Sequence, residues 1–198
     1  MFETRGLRRL RVGPISFKLE PGTCASLQGR SGVGKSVLLR MIADLDPHEG
    51  DSILDGRACS RLPAPEWRRL VTYVPAESGW WHDTAGAHFA ADADLPGLLA
   101  SVGIPADAAS WPVSRLSTGE RQRLSLLRAL HPGNRVLLLD EPTSGLDVDS
   151  VARVEALLLG RLRLGTSILM VTHDPDQAIR MASTHFTLDD GRLERTVR

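Results

Sequence analysis

Apolar residues along this chain gather in short runs, and two periodicities alternate between them. Ile15–Leu19, Thr23–Gln28, Ser52–Leu54, Val71–Val74, Val136–Asp140 and Ser167–Thr172 read as strands. Stretches with helical spacing cover Lys35–Ala43, Glu120–Leu130, Val151–Arg161 and Pro175–Ala182. Asp55-Gly56 and Asp190-Gly191 are hairpin turn signals, and the second predicts a closing hairpin near the C-terminus. Strands that alternate with helices predict an α/β fold with a mostly parallel sheet. The early strands are separated by turns instead, which predicts a smaller antiparallel layer beside it. From Ser78 to Pro112 the pattern weakens into Ala, Asp, Gly and Pro, yet this stretch holds three of the four tryptophans. It reads as an inserted, partly helical lobe.

Composition narrows this picture only slightly. With 198 residues, 42% hydrophobic and 24% charged, the chain fits one globular domain. Lys+Arg and Asp+Glu balance at 24 each, so net charge calls for neither nucleic acid nor an anionic membrane. Lys18 and Lys35 are the only lysines, so a lysine placed inside a motif stands out. Cys24 and Cys59 have neither metal-ligand spacing nor the density of a disulfide scaffold, and they read as small buried hydrophobes. The first residues carry no apolar core of a secretion signal, and no run approaches the roughly 20 residues that cross a bilayer.

Two segments carry chemistry. Gly29-Arg30-Ser31-Gly32-Val33-Gly34-Lys35-Ser36 matches G-x-x-x-x-G-K-[ST] between a strand and a helix. Glycines let successive N–H groups converge on anionic oxygens, and the helix start adds its positive dipole end. Lys35 is then expected to reach the β- and γ-phosphates, with the Ser36 hydroxyl on Mg²⁺. Val136–Asp140 followed by Glu141 is an apolar run ending in two acids, the form of a buried parallel strand with ligand groups at its carboxyl end. Asp140 is placed to hold Mg²⁺, directly or through its water, and Glu141 to orient and polarise an attacking water.

Leu116-Ser117-Thr118-Gly119-Glu120 precedes that strand, and Ser117 with Glu120 has the spacing of a helix capping box. Set between the two phosphate-site segments, LSTGE resembles the LSGGQ signature of ABC ATPases. SGLD at Ser144–Asp147 resembles their D-loop, and VTHD at Val171–Asp174 their switch histidine. The motifs keep the family's order, and the similarity covers essentially the whole chain. The resemblance implies a P-loop NTPase (RecA-like) core, at about 1–77 and 130–198, with an inserted helical lobe at about 78–129. It implies ATP hydrolysis with Mg²⁺ in a head-to-tail dimer with a second ATPase subunit. Each ATP would lie between one P-loop and the Ser117, Thr118 and Gly119 segment of the other chain. His173 would contact the γ-phosphate and attacking water, and Asp147 would communicate across the dimer. The implied partner is an integral membrane permease on a separate chain, which places this subunit in the cytoplasm on the inner face of the membrane. No nucleic acid is expected. A soluble ABC ATPase acting on nucleic acid or ribosomes is the alternative, and a kinase-like or GTPase P-loop enzyme would not need the last three motifs.

Three departures qualify the resemblance. The loop after Val71-Thr72-Tyr73-Val74-Pro75 normally carries a metal-binding glutamine; here Ala76 stands in that register, followed by Glu77. Glu77 either substitutes, as a metal ligand or through water, or is a solvated loop acid. Neither Phe2 nor Phe17 sits in register to stack on adenine, so triphosphate binding is better specified than base choice. Thr118 and Glu120 replace Gly and Gln in the signature. Trp80-Trp81 reads either as an anchor for the membrane subunit or as core packing of the lobe.

Overall fold

The structure is a computed structural model that describes residues 1–196. Its larger sheet has the order β10 (Arg192–Thr196), β9 (Thr184–Asp189), β3 (Cys24–Gln28), β8 (Ser167–Val171), β7 (Val136–Asp140) and β6 (Val71–Val74). All its neighbours run parallel except β10, which returns antiparallel along β9. The Asp190-Gly191 hairpin therefore forms as its turn residues predict. A second, antiparallel sheet has the order β2 (Val12–Leu19), β1 (Phe2–Arg9), β4 (Glu49–Leu54) and β5 (Arg57–Ala58).

The central strands β7 and β8 are buried along their whole length, as strands covered on both faces must be. Their side chains alternate between two cores. Val136, Leu138, Leu169 and Val171 join Leu38, Leu39, Met41 and Ile42 of α1 (Lys35–Ile42) and the inner face of the antiparallel sheet. Leu137, Leu139, Ile168 and Met170 pack instead on Val154 and Leu158 of α5 (Val148–Arg163). At roughly 1.5–3 kcal/mol per fully buried aliphatic side chain, this double burial fixes where the strands end. The carboxyl ends of β7 and β8 are the platform on which the site is built.

Elements without a clean period escaped the sequence pattern. β1 pairs with β2 through register shifts between Thr4 and Leu7 and between Leu7 and Arg9, which break the two-residue alternation. The short helix α2 (Ala64–Leu70) is marked by one fully buried residue, Trp67, whose indole N–H donates to the Ile42 carbonyl at 2.9 Å. Helix α5 begins three residues earlier than its apolar spacing suggests, because Asp147 caps it. Cys24 and Cys59 are buried, and burial pushes both thiols up to about 12.

The lobe has its own small core. Ala85, Leu99, Val102, Ile104, Ala108 and Leu116 pack with Leu124 and Leu127 of α4 (Thr118–Ala129), while Leu126 of that helix joins the sheet. Beyond α3 (Leu95–Ser101) it consists of short 3₁₀ turns. The two neighbouring tryptophans divide: Trp80 packs against the lobe core, and Trp81 is 66% exposed. His88 organises them. Its Nε2 accepts the Trp81 and His82 backbone N–H groups, both at 3.0 Å, and Nδ1 donates to the Thr84 carbonyl at 3.0 Å. The Arg128 guanidinium lies 4.9 Å from the Trp80 ring centre and 4.6 Å from that of Trp81.

Candidate active site

The loop between β3 and α1 is shaped by glycines whose conformations other residues avoid. Gly29 has φ 150° and Gly34, the N-cap of α1, has φ 110°. A Cβ at Gly29 would run into the Leu188 carbonyl, and one at Gly34 into the Val12 side chain. No side chain caps α1, so its first N–H groups are left for an anion. Lys35 is 7% exposed and lies back along the loop, its ammonium donating to the Gly29 carbonyl at 2.8 Å and the Arg30 carbonyl at 3.1 Å. Ser31, Gly32 and Ser36 are exposed, whereas Val33 turns toward the core.

β7 delivers the acids opposite this loop. Asp140 is 5% exposed, and its Oδ2 accepts the Tyr73 hydroxyl at 3.0 Å from the adjacent β6. Burial, and then the neighbouring Asp140, push the Tyr73 phenol well above its ordinary range, so it stays a donor. Glu141, one residue on, has φ 52°, a left-handed conformation that costs a non-glycine residue about 1–3 kcal/mol. Several partners hold it there. Its N–H donates to the Val171 carbonyl at 3.1 Å. Its own carbonyl accepts the Ser144 N–H at 3.2 Å and the Gln122 side-chain amide at 2.6 Å. Because Asp140 pairs with Val171, His173 emerges beside it, and His173 Nε2 lies 3.0 Å from Glu141 Oε1.

Lys35, Ser36, Asp140, Glu141 and His173 thus line one cleft with Ser31, Gly32, Gly34 and Val37. The Ser36 hydroxyl and Asp140 carboxylate are hard oxygen donors. Among the described residues no trio of His, Cys, Asp or Glu forms a complete metal cage. That donor set fits Mg²⁺, which keeps water and borrows phosphate oxygens rather than demanding a closed protein shell. The cleft encloses about 240 Å³, below the roughly 300–1,000 Å³ of sites that bury a ligand unaided.

The other candidates lie elsewhere. Ser117, Thr118, Gly119, Asp147 and Glu77 are not among the residues lining the cleft. Ser117 caps α4 by accepting the Glu120 N–H at 3.2 Å, while the Glu120 carboxylate takes the Ser117 N–H at 2.8 Å. The capping box that the Ser117 and Glu120 spacing suggests therefore forms, and a carboxylate sits on the Ser117 N–H. Asp147 accepts the Ser150 N–H and hydroxyl at 2.9 and 2.8 Å, which holds its carboxyl below the usual range. Glu77 and Arg30 are exposed. Phe2 and Phe17 are buried against each other, with ring centres 6.2 Å apart, so neither can face a nucleotide base. Tyr73 and Gln122 are the residues that the sequence did not single out. Each reaches the site from a distant position, and no local pattern marks either.

Comparison with known proteins agrees with this geometry. The family model for ABC transporters matches residues 12–144. The chain is 35% identical to the aliphatic sulfonates import ATP-binding protein SsuB of Ralstonia nicotianae, over 95% of this chain and 67% of that one. It is also 35% identical to the protein of that name from Cupriavidus necator, over 90% of this chain and 61% of that one. The Mycobacterium avium protein of that name is 36% identical over 90% and 72%. The fold matches the ATP-binding subunit of an ABC transporter with a TM-score of 0.87, at 21% identity, covering 99% of this chain and 89% of that one. It also matches a dimeric ATP-binding cassette in a post-hydrolysis state bound to ADP and Pi, with a TM-score of 0.80 at 21% identity, covering all of both chains.

Proposed function

The chain belongs to the ABC transporter family, and on that premise we propose that it is the ATP-hydrolysing subunit driving a membrane permease carried on a separate polypeptide. One observation supports this most directly: a phosphate-binding loop, a buried metal-binding acid, a base and a histidine converge on one cleft. The core at 1–77 and 130–198 and the lobe at about 78–129 act as one ATPase domain.

The α1 N-terminus and the Gly29–Gly34 backbone cradle the triphosphate. Lys35 exchanges its loop carbonyls for phosphate oxygens, a trade that keeps the ammonium hydrogen-bonded throughout. Ser36 and Asp140 hold Mg²⁺, which when bound neutralises phosphate charge. Glu141 accepts a hydrogen bond from the attacking water and directs it at the γ-phosphorus, while His173 bridges that carboxylate and the γ-phosphate. Glu77 stands as an outer, water-mediated contributor.

The open, undersized cleft is completed by the Ser117–Gly119 end of α4 from a second subunit, with Asp147 of the D-loop beside it. In that arrangement the Glu120 carboxylate must leave the Ser117 N–H before a γ-phosphate takes it, and its charge opposes the incoming anion. With Phe2 and Phe17 both buried away from a base, selectivity for ATP over GTP is weak. Trp81, exposed beside Trp80 on the lobe, anchors the permease at the inner face of the membrane.

Affinity purification of the tagged chain from detergent-solubilised host membranes tests the reading. It should yield a polytopic membrane protein in stoichiometric amount and ATP hydrolysis by the complex. Recovery of soluble partners alone would overturn the transport assignment. Absence of hydrolysis in any such complex would overturn the catalytic one.

A further inference from the structure

Gln122 stands out because it touches the catalytic segment without belonging to it. It lies in the second turn of α4, half-buried, and its side-chain amide donates to the Glu141 carbonyl at 2.6 Å. Glu141 occupies a left-handed conformation at φ 52°, which lasts only where its surroundings over-determine it. Of the two donors to its carbonyl, the Ser144 N–H is internal to the turn Glu141–Ser144, whereas Gln122 comes from a different element.

The contact is not isolated. Positions 119, 122 and 123 share one face of α4 by their three- and four-residue spacing. On that face the Leu146 side chain closes over Gly119, where a Cβ would stand 3.1 Å from Leu146 Cδ2. Arg123 donates to the Ser150 hydroxyl at 2.6 Å, and Ser150 in turn donates to Asp147. The N-terminal turns of α4 are therefore fastened to Glu141–Ser150 of the same chain at three consecutive points.

We propose that Gln122 is the positioning residue for Glu141, and that through it the signature end of α4 sets the catalytic carboxylate of its own chain. This rests on the function proposed above, in which that end of α4 meets the nucleotide held by the partner. Occupancy of the partner's P-loop then displaces α4, and the Gln122 amide carries the displacement to the Glu141 peptide. The carboxylate is re-aimed against His173 as a result. Each subunit thus learns, through one hydrogen bond, that the other half of the assembly has closed.

The test compares Gln122→Met, which keeps shape and loses the donor, with Gln122→Lys, which keeps a donor. Melting temperature, affinity for a fluorescent ATP analogue, and kcat and KM for ATP are measured on the full chain with its membrane partner. The Met variant should bind nucleotide within twofold of the parent, hold KM, and lose about tenfold or more in kcat. The Lys variant should recover most of that loss. A Met variant with kcat within twofold of the parent, or a Lys variant no better than Met, overturns the proposal. So does a fall in nucleotide affinity that matches the fall in kcat. If Gln122→Met does not fold, Gln122→Lys decides alone, since it must retain kcat within threefold. A parent complex without hydrolysis would overturn the function itself, whereas an active parent indifferent to Gln122 would remove only the tether.

Discussion

The parallel core and the inserted lobe solve the problem of burying apolar surface in opposite ways. In the core, β7 and β8 are closed on both faces, so every residue from Val136 to Asp140 and from Ser167 to Val171 has a fixed address. In the lobe, one seven-residue helix and three short 3₁₀ turns share a single small cluster roofed by α4. The core spends its order on holding Asp140, Glu141 and His173 against the phosphate loop. The lobe holds Trp81 toward solvent, with the half-buried Arg128 guanidinium over its ring. Buried strands position the two acids and the histidine, and the insertion leaves an aromatic side chain at the surface.

The largest test of that division is at the chemistry itself. Glu141→Gln should lower ATP hydrolysis by about 10²–10⁴-fold with nucleotide affinity and melting temperature little changed. A smaller loss would remove Glu141 as the general base. Next come paired truncations. Leu138→Ala should cost about 3–5 kcal/mol of stability, because neither sheet face can collapse around the cavity. Leu99→Ala should cost about 2 kcal/mol and leave the affinity for nucleotide intact, since the lobe core is smaller and sits at the surface. Equal costs in chemical denaturation would erase the distinction.

Tyr73→Phe sharpens the comparison through pH. The folded-state pKa of Tyr73 is raised, so its contribution to stability is present below about pH 10, the unfolded value, and is lost as pH rises beyond it. The phenylalanine variant should lose about 1 kcal/mol at neutral pH, from the missing bond to Asp140. It should also show a flatter alkaline limb in unfolding followed from pH 8 to 12. An unchanged limb would mean that burial and the neighbouring Asp140 do not raise the phenol's pKa. The smallest effect on stability is expected in the lobe: Trp81→Ser should change it by less than about 0.5 kcal/mol. It should leave basal hydrolysis unaltered and weaken capture of the membrane subunit. Retained capture would free the exposed tryptophan from that role.

How much of this was legible in the sequence follows the same division. Val136–Asp140 and the run after Ser167 are continuous apolar strands of a kind only a covered parallel sheet needs, and the structure has them at nearly those bounds. The glycine loop declares itself because backbone shape there depends on residue type. β1 was illegible because bulges interrupt its alternation, and α2 because its seven residues expose too much charge to show a face. Tyr73 and Gln122 meet the site across 67 and 19 residues of sequence, so only the fold reveals them. The Glu120 carboxylate over the Ser117 N–H was foreshadowed by the capping-box spacing. That spacing alone carries no functional message, because it also serves an ordinary helix start.

Lys35, folded under the carbonyls of its own loop, has a consequence for chemical labelling. The chain offers acylating reagents only two side-chain amines, and they differ sharply in access. The Lys18 side chain is 63% exposed and leans loosely on Glu3 at 3.5 Å, whereas Lys35 is 7% exposed. Lys18 is therefore a built-in reference for reagent strength, against which modification at Lys35 reads as a single peptide mass ratio. That ratio should rise when the loop releases the ammonium and fall again when phosphate claims it. The scarcity of lysine makes this protein its own footprinting assay for the state of its nucleotide cleft.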